Sequence, residues 1–173
     1  MCSLSRWESG ARSHPEIQPV IVVAPSRTPE EARAIISQHG AENIKLIQQQ
    51  TREALAASNA AAIASGTATL EAALLETPMV VVYKESPINW HTLGRLITVP
   101  HYGLVNLVAG EEIAKELMQD QLLGKNLAHE LLKLLEPETN ANVRVSLRNV
   151  AHKLGDPGAS QRAAQQILHY ISV

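Results

Sequence analysis

The sequence predicts an α/β protein, with a parallel sheet of about four strands and then a helical tail. Short apolar runs recur at Val20–Ala24, Ile44–Ile47, Ala60–Ala64 and Met79–Tyr83. Stretches with helix-start chemistry separate them. Beyond Tyr83 the pattern turns mainly helical. Strands alternating with helices at this spacing call for parallel pairing through right-handed crossovers, a Rossmann-like arrangement.

Met1–Pro19 is rich in Ser, Arg, His and Pro and reads as a loop or frayed helix. Val20–Ala24 is a β-branched run suited to a strand buried on both faces. Pro25 and Ser26 end it. Thr28 then stands as an N-cap, Pro29 as the first helical residue and Glu31 as the partner of a capping box. The helix Pro29–Gln38 closes at His39-Gly40, glycine being the usual residue past a helix end. Ile44–Ile47 is the next strand, and Thr51 opens a helix to Ala57. Ala60–Ala64, a turn at Ser65-Gly66-Thr67, a helix from Ala68 and the strand Met79–Tyr83 follow.

Asn89–Ile97 reads as a helix that Val99-Pro100 breaks. Tyr102–Val108 fits a last strand or a loop. Glu111–Met118, Lys125–Leu135, Thr139–Leu154 and Ser160–Ile171 read as helices, with Glu136-Pro137 and Gly155–Gly158 between the last three.

The chain has 173 residues, room for one domain with a real core. A formal charge of −2 gives no basic surface for nucleic acid. No apolar run reaches the length of a membrane span, about 18 residues. Met1–Pro19 lacks the apolar stretch of a signal peptide, so the cytoplasm is the expected compartment. The single Cys2 excludes an internal disulfide or a Cys-based zinc cluster. Phe is absent, which leaves Leu, Ile, Val and Ala to build the core.

The candidate site is the turn after Ala64. Ser65 is the expected N-cap, and Gly66 lets the backbone approach a ligand closely. A helix start offers unpaired N–H groups and a positive dipole end, which suit an anion such as phosphate. Thr67 and Glu71 are four apart and share a face, so Glu71 sits one turn beyond. An ordinary βαβ connection with a capped helix explains the same residues. In open parallel sheets ligands bind beyond the carboxyl ends of the strands. That edge collects Ser26, Gln48–Thr51, Ser65–Thr67 and Lys84–Ser86. Lys84 and Arg95 are cations suited to a phosphate there, or else solvated surface charges. The apolar residues Ile88, Trp90, Leu93, Leu96 and Ile97 suit either packing on the sheet or contact with acyl chains.

No metal-ligand spacing is present. His91 and His101 stand ten apart across a proline, and no His-Glu-x-x-His occurs. Gly-x-Gly-x-x-Gly, the P-loop pattern and the Gly-x-Ser-x-Gly elbow are absent as well.

Ala64-Ser65-Gly66-Thr67-Ala68-Thr69-Leu70-Glu71, followed by Thr77–Lys84, resembles the signature of the lipid-A-disaccharide synthase family. Asn106-Leu107-Val108-Ala109-Gly110 resembles that family's Asn-Leu-x-Ala-Gly loop. Glu53–Ala60 resembles its Glu-x-Met-x-Ala-Ser-Asp-Ala run. The likeness is good from Val20 to Gln119 and looser beyond. One departure is Val105, where the family commonly has Pro.

The resemblance implies the carboxyl-terminal, donor-binding half of a GT-B glycosyltransferase, with residues 20–135 as the nucleotide-sugar-binding domain and 136–173 as carboxyl-terminal helices. It implies that the backbone around Ser65, Gly66 and Thr67 cradles a UDP diphosphate and that Glu71 faces the ribose. It implies a phosphate contact for Lys84 and a sugar or uracil contact for Asn106. The substrates it implies are UDP-2,3-diacylglucosamine and 2,3-diacylglucosamine 1-phosphate, with no cofactor and no metal. The family's opening strand and Gly-Ser-Arg loop are not found before Val20. The chain therefore reads as a truncated or split product, inactive alone, with the catalytic groups in an amino-terminal half. A homodimer or that separate half is the expected partner, at the cytoplasmic surface of the inner membrane. The alternatives are a non-catalytic fragment or subunit, and a different GT-B enzyme that uses UDP-N-acetylglucosamine.

Overall fold

A computed structural model describes residues 14–85 and 99–171. β1 (Val20–Val23) and α1 (Pro29–Gln38) form where the sequence places them. The capping box is complete: Thr28 Oγ1 accepts from Glu31 N, and the Glu31 carboxylate accepts from Thr28 N. Gly40, at φ +63°, turns the chain past the helix end. β2 (Lys45–Gln48), α2 (Thr51–Ala57), β3 (Ala61–Ala64), α3 (Ala68–Leu74) and β4 (Met79–Tyr83) follow.

Two expectations fail after β4. Tyr102–Val108, expected as a strand or a loop, is a loop only at Tyr102 and Gly103: α4 (Leu104–Ala109) follows. Gly103 supplies its extended N-cap, and Gly110 its left-handed end at φ +83°. Glu111–Met118, expected as a helix, ends instead in β5 (Lys115–Met118). The open edge of β4 takes this segment through parallel pairing, which outweighs its weak helical pattern. The expected helix Asn89–Ile97 lies outside the described residues, as do Ser86, His91, Arg95 and the apolar positions from Ile88 to Ile97. The chain closes with α5 (Gly124–Leu135), α6 (Pro137–Leu154) and α7 (Ala159–Ile171).

Every ladder is parallel. β1 pairs with β2 from Val20–Lys45 to Val23–Gln48. β4 is the middle of a second set, beside β3 (Ala61–Met79 to Ala64–Val82) and β5 (Val80–Lys115 to Tyr83–Met118). Among the described residues no ladder joins β1 to β3, so the strands form a pair and a triple.

Met79, Val80 and Val81 of the middle strand are fully buried, as expected for a strand covered on both faces. α5 packs across β3, β4 and β5, and α6 packs on α3, α4 and α5. Packing therefore crosses the boundary at residue 136. Leu147 and Val150 of α6 join the core of Leu55, Ile63, Ala72 and Met79. Polar contacts hold α6 in register. Arg144 Nη1 donates to Glu76 O at 2.8 Å, and Asn140 Nδ2 donates to Asn59 O at 2.8 Å. Arg148 grips the Glu76 carboxylate with two bonds, of 3.0 and 2.6 Å. α7 is exposed along its length, with Ile167 59% and Ile171 75% accessible. Among the described residues no helix is long and apolar enough to cross a membrane.

This packing sets two expectations. Leu147→Ala deletes a fully buried side chain and lowers unfolding stability in urea by about 2–5 kcal/mol, whereas Ile167→Ala on exposed α7 stays within about 0.5 kcal/mol. The hydrogen bond from Arg148 lowers the Glu76 pKa below the ordinary carboxylate value. Stability from that pair is therefore present above the unfolded-state pKa and lost as pH falls through the folded one. Glu76→Gln is less stable than wild type at pH 7, and thermal melts of the two converge on acidification. Because the pair is exposed, the difference is small.

Candidate functional site

β3 and β4 end side by side, since Ser65 N donates to Val82 O at 2.9 Å. Their parallel direction brings the Ser65–Thr67 turn and Lys84 to one carboxyl edge. Ser26 and Gln48–Thr51 follow the ends of β1 and β2, strands of the other set.

Ser65 is not the N-cap. Thr67 occupies that position, in helical conformation and without a side-chain cap. The Ser65 hydroxyl donates instead to Tyr102 O, 37 residues on, at 2.8 Å. The turn closes through Thr69, whose buried hydroxyl donates to Gly66 O at 2.7 Å, and through Thr69 N to the same oxygen at 3.1 Å. Gly66 has φ +149°, and a Cβ built there meets nothing within 4 Å. The backbone is thus open to close approach, in a conformation that L side chains rarely adopt.

The N–H groups of Gly66, Thr67 and Ala68 have no acceptor among the described residues. They follow one another at the start of α3, where backbone dipoles add positive potential. Glu71 is exposed one turn on, with no side-chain hydrogen bond or ion pair among the described residues. Lys84 is likewise exposed. Beside it the Tyr83 phenol donates to Glu85 Oε2 at 2.8 Å, and this bond raises the phenol pKa above its ordinary value. An anion with a hydroxyl-bearing group suits this edge: N–H donors for the charge, a free carboxylate for hydroxyl hydrogens.

Asn106 sits apart from this edge and is fully buried. Its Nδ2 donates to Ala114 O at 2.7 Å and to Glu116 Oε1 at 2.8 Å. Its Oδ1 accepts from Ile113 N at 3.0 Å and Ala114 N at 2.9 Å. Both hydrogens and both lone pairs are used, which leaves nothing for a sugar or a uracil. The Asn-Leu-x-Ala-Gly loop is thus a short helix tied to β5 through its asparagine. Val105 is buried at the second position of that helix. A first-turn N–H has no partner within its helix, so Pro and Val both fit there.

Sequence reasoning missed Glu116. Its carboxylate accepts from Tyr102 N and Gly103 N, each at 2.9 Å, and from Asn106. Ten residues separate Asn106 from Glu116, and no local motif has that spacing, so only pairing of β5 reveals the contact. Among the described residues no group of three or more His, Cys, Asp or Glu is placed to hold a metal. A cleft of about 550 Å³ between His14–Ile17 and the end of α5, lined by His129, Leu132 and Lys133, shares no residue with the Ser65 turn.

Comparison with known proteins identifies the family. The sequence model of the family described as lipid-A-disaccharide synthetase matches residues 10–170. A lipid-A-disaccharide synthase of Syntrophus aciditrophicus is 43% identical over 129 residues, 74% of this chain and 34% of the relative. One from Anaeromyxobacter dehalogenans is 36% identical over 157 residues, 90% of this chain and 41% of the relative. One from Solibacter usitatus is 38% identical over 156 residues, 87% of this chain and 41% of the relative. The chain thus spans about a third to two fifths of the length of these curated relatives.

The Asn106 bracket carries its own test. Asn106→Ala leaves the buried N–H and carbonyl of Ala114 and the part-buried N–H of Ile113 without their partner, at about 1–3 kcal/mol each for the buried groups. Urea unfolding shows a loss of about 3 kcal/mol or more. A residue that served only a ligand would leave that transition in place.

Proposed function

The chain belongs to the lipid-A-disaccharide synthetase family, and on that premise we propose that it forms the UDP-sugar-binding half of a lipid-A-disaccharide synthase. The observation that carries the reading is the run of unpaired N–H groups at Gly66, Thr67 and Ala68 beside the exposed Glu71 carboxylate. The N–H groups hold the diphosphate, Glu71 accepts from the ribose hydroxyls, and Lys84 adds positive charge at the same edge.

The reaction transfers 2,3-diacylglucosamine from UDP to 2,3-diacylglucosamine 1-phosphate. The 6-hydroxyl oxygen of the acceptor bonds to the anomeric carbon from the side opposite UDP, which inverts that carbon. The bond from that carbon to the diphosphate oxygen breaks, and UDP departs with the electron pair. The hydroxyl proton goes to a general base on an amino-terminal half, across the cleft. Negative charge grows on the leaving diphosphate, where the N–H groups and the α3 dipole stabilise it. The acyl chains of both substrates place the reaction at the cytoplasmic surface of the inner membrane. An amino-terminal half or a second copy supplies the other wall of the cleft, since two substrates must be oriented together.

Isothermal calorimetry on the full chain tests the reading. UDP binds, and Glu71→Ala weakens it about tenfold, the worth of one charged hydrogen bond. A folded chain that shows no UDP binding at millimolar ligand overturns the assignment. Equal affinity for acylated and unacylated UDP-glucosamine favours a UDP-N-acetylglucosamine enzyme instead. Transferase activity that appears only on mixing with an amino-terminal half identifies a split enzyme.

A further inference from the structure

We propose that Glu116 is a positioning residue for the nucleotide turn, acting through the Tyr102 peptide on Ser65. The proposal rests on the donor-site reading above and adds to it a residue from β5, an element that does not border the turn.

One peptide segment is held at both ends. Glu116 Oε2 accepts from Tyr102 N at 2.9 Å, and Oε1 accepts from Gly103 N at 2.9 Å. The carbonyl of the same Tyr102 accepts the Ser65 hydroxyl at 2.8 Å. Gly103 has no room for a side chain. A Cβ built on it lies 3.1 Å from Val81 Cγ2 and 3.2 Å from Glu116 Oε1, so only glycine lets the backbone come this near β4 and the Glu116 carboxylate. Asn106 steadies the carboxylate from the other side at 2.8 Å. The chain of contacts runs from Glu116 to the Tyr102 peptide and to the hydroxyl of Ser65, the residue before Gly66.

A carboxylate suits this post because it only accepts. A glutamine turns a donor NH₂ toward one of the two N–H groups and breaks the pair. Ser65 has a single hydroxyl hydrogen, and Tyr102 O takes it, so the side chain anchors the turn while the backbone N–H groups meet the diphosphate.

The test uses the full chain as wild type, Glu116→Gln, Ser65→Ala and the double variant. UDP affinity is read by calorimetry and amide exchange by ¹⁵N NMR. Each single variant stays folded and weakens UDP about tenfold, and the double variant is no weaker than either, because both cut one link. A Glu116→Gln chain with a lower melting temperature but wild-type UDP affinity has lost only stability and overturns the proposal. Additive losses overturn it too. Should Glu116→Gln fail to fold, Ser65→Ala decides: the Tyr102 amide exchanges about tenfold faster if the link is real, and unchanged exchange overturns it. Should the wild type bind no UDP, the donor-site reading falls by itself. Shifted Gly66 and Thr67 amide resonances in Glu116→Gln then still support the link, and unshifted ones refute it.

Discussion

A buried primary amide must satisfy all its hydrogen-bonding groups or destabilise the fold, and Asn106 satisfies them across two elements. Its two acceptor bonds and two donor bonds join α4 to the start of β5 and to Glu116. β5 then takes its place on the open side of β4, and α4 its place beside α6. The family-like loop thus acts as a fastener inside the domain, and a polar residue that looks like a ligand contact in sequence is a structural bracket.

The same logic governs α6. A long amphipathic helix docks by its apolar face, and its polar neighbours decide where along the sheet it stops. Leu147 and Val150 fill the core, while Arg144, Asn140 and Arg148 reach carbonyls and a carboxylate at Asn59 and Glu76. Glu76 itself holds φ +54°, uncommon for a residue with a side chain, and two arginines of α6 surround it. The turn between α3 and β4 is therefore braced from outside, which steadies the helix whose other end forms the candidate site.

At that site the structure divides labour between backbone and side chain. Ser65 spends its hydroxyl hydrogen on Tyr102, and Thr69 spends its own on Gly66, so both side chains shape the turn. Three successive main-chain N–H groups are free beside them, which suits a ligand recognised by charge and shape. Thr67, Glu71 and Lys84 are exposed side chains with no partner among the described residues at this edge.

Much of this was legible in the residues. The Thr28–Glu31 capping box, the Gly40 end, the runs that became β1 to β4 and the Ser65–Glu71 signature all act within a few positions of one another. The family likeness rests on short stretches too, Glu53–Ala60, Ala64–Glu71, Thr77–Lys84 and Asn106–Gly110. What the residues did not disclose depends on partners far along the chain. Ser65 chose a carbonyl 37 positions away over the start of its own helix. The segment before Gln119 became a strand because β4 offered an unpaired edge. Asn106 turned inward because Ala114 and Glu116 meet it there. Local propensity encodes caps and periods, since their donors and acceptors are sequence neighbours. Which buried polar group meets which is decided only when separate elements pack, because no pattern of adjacent residues specifies a contact that the fold itself brings together.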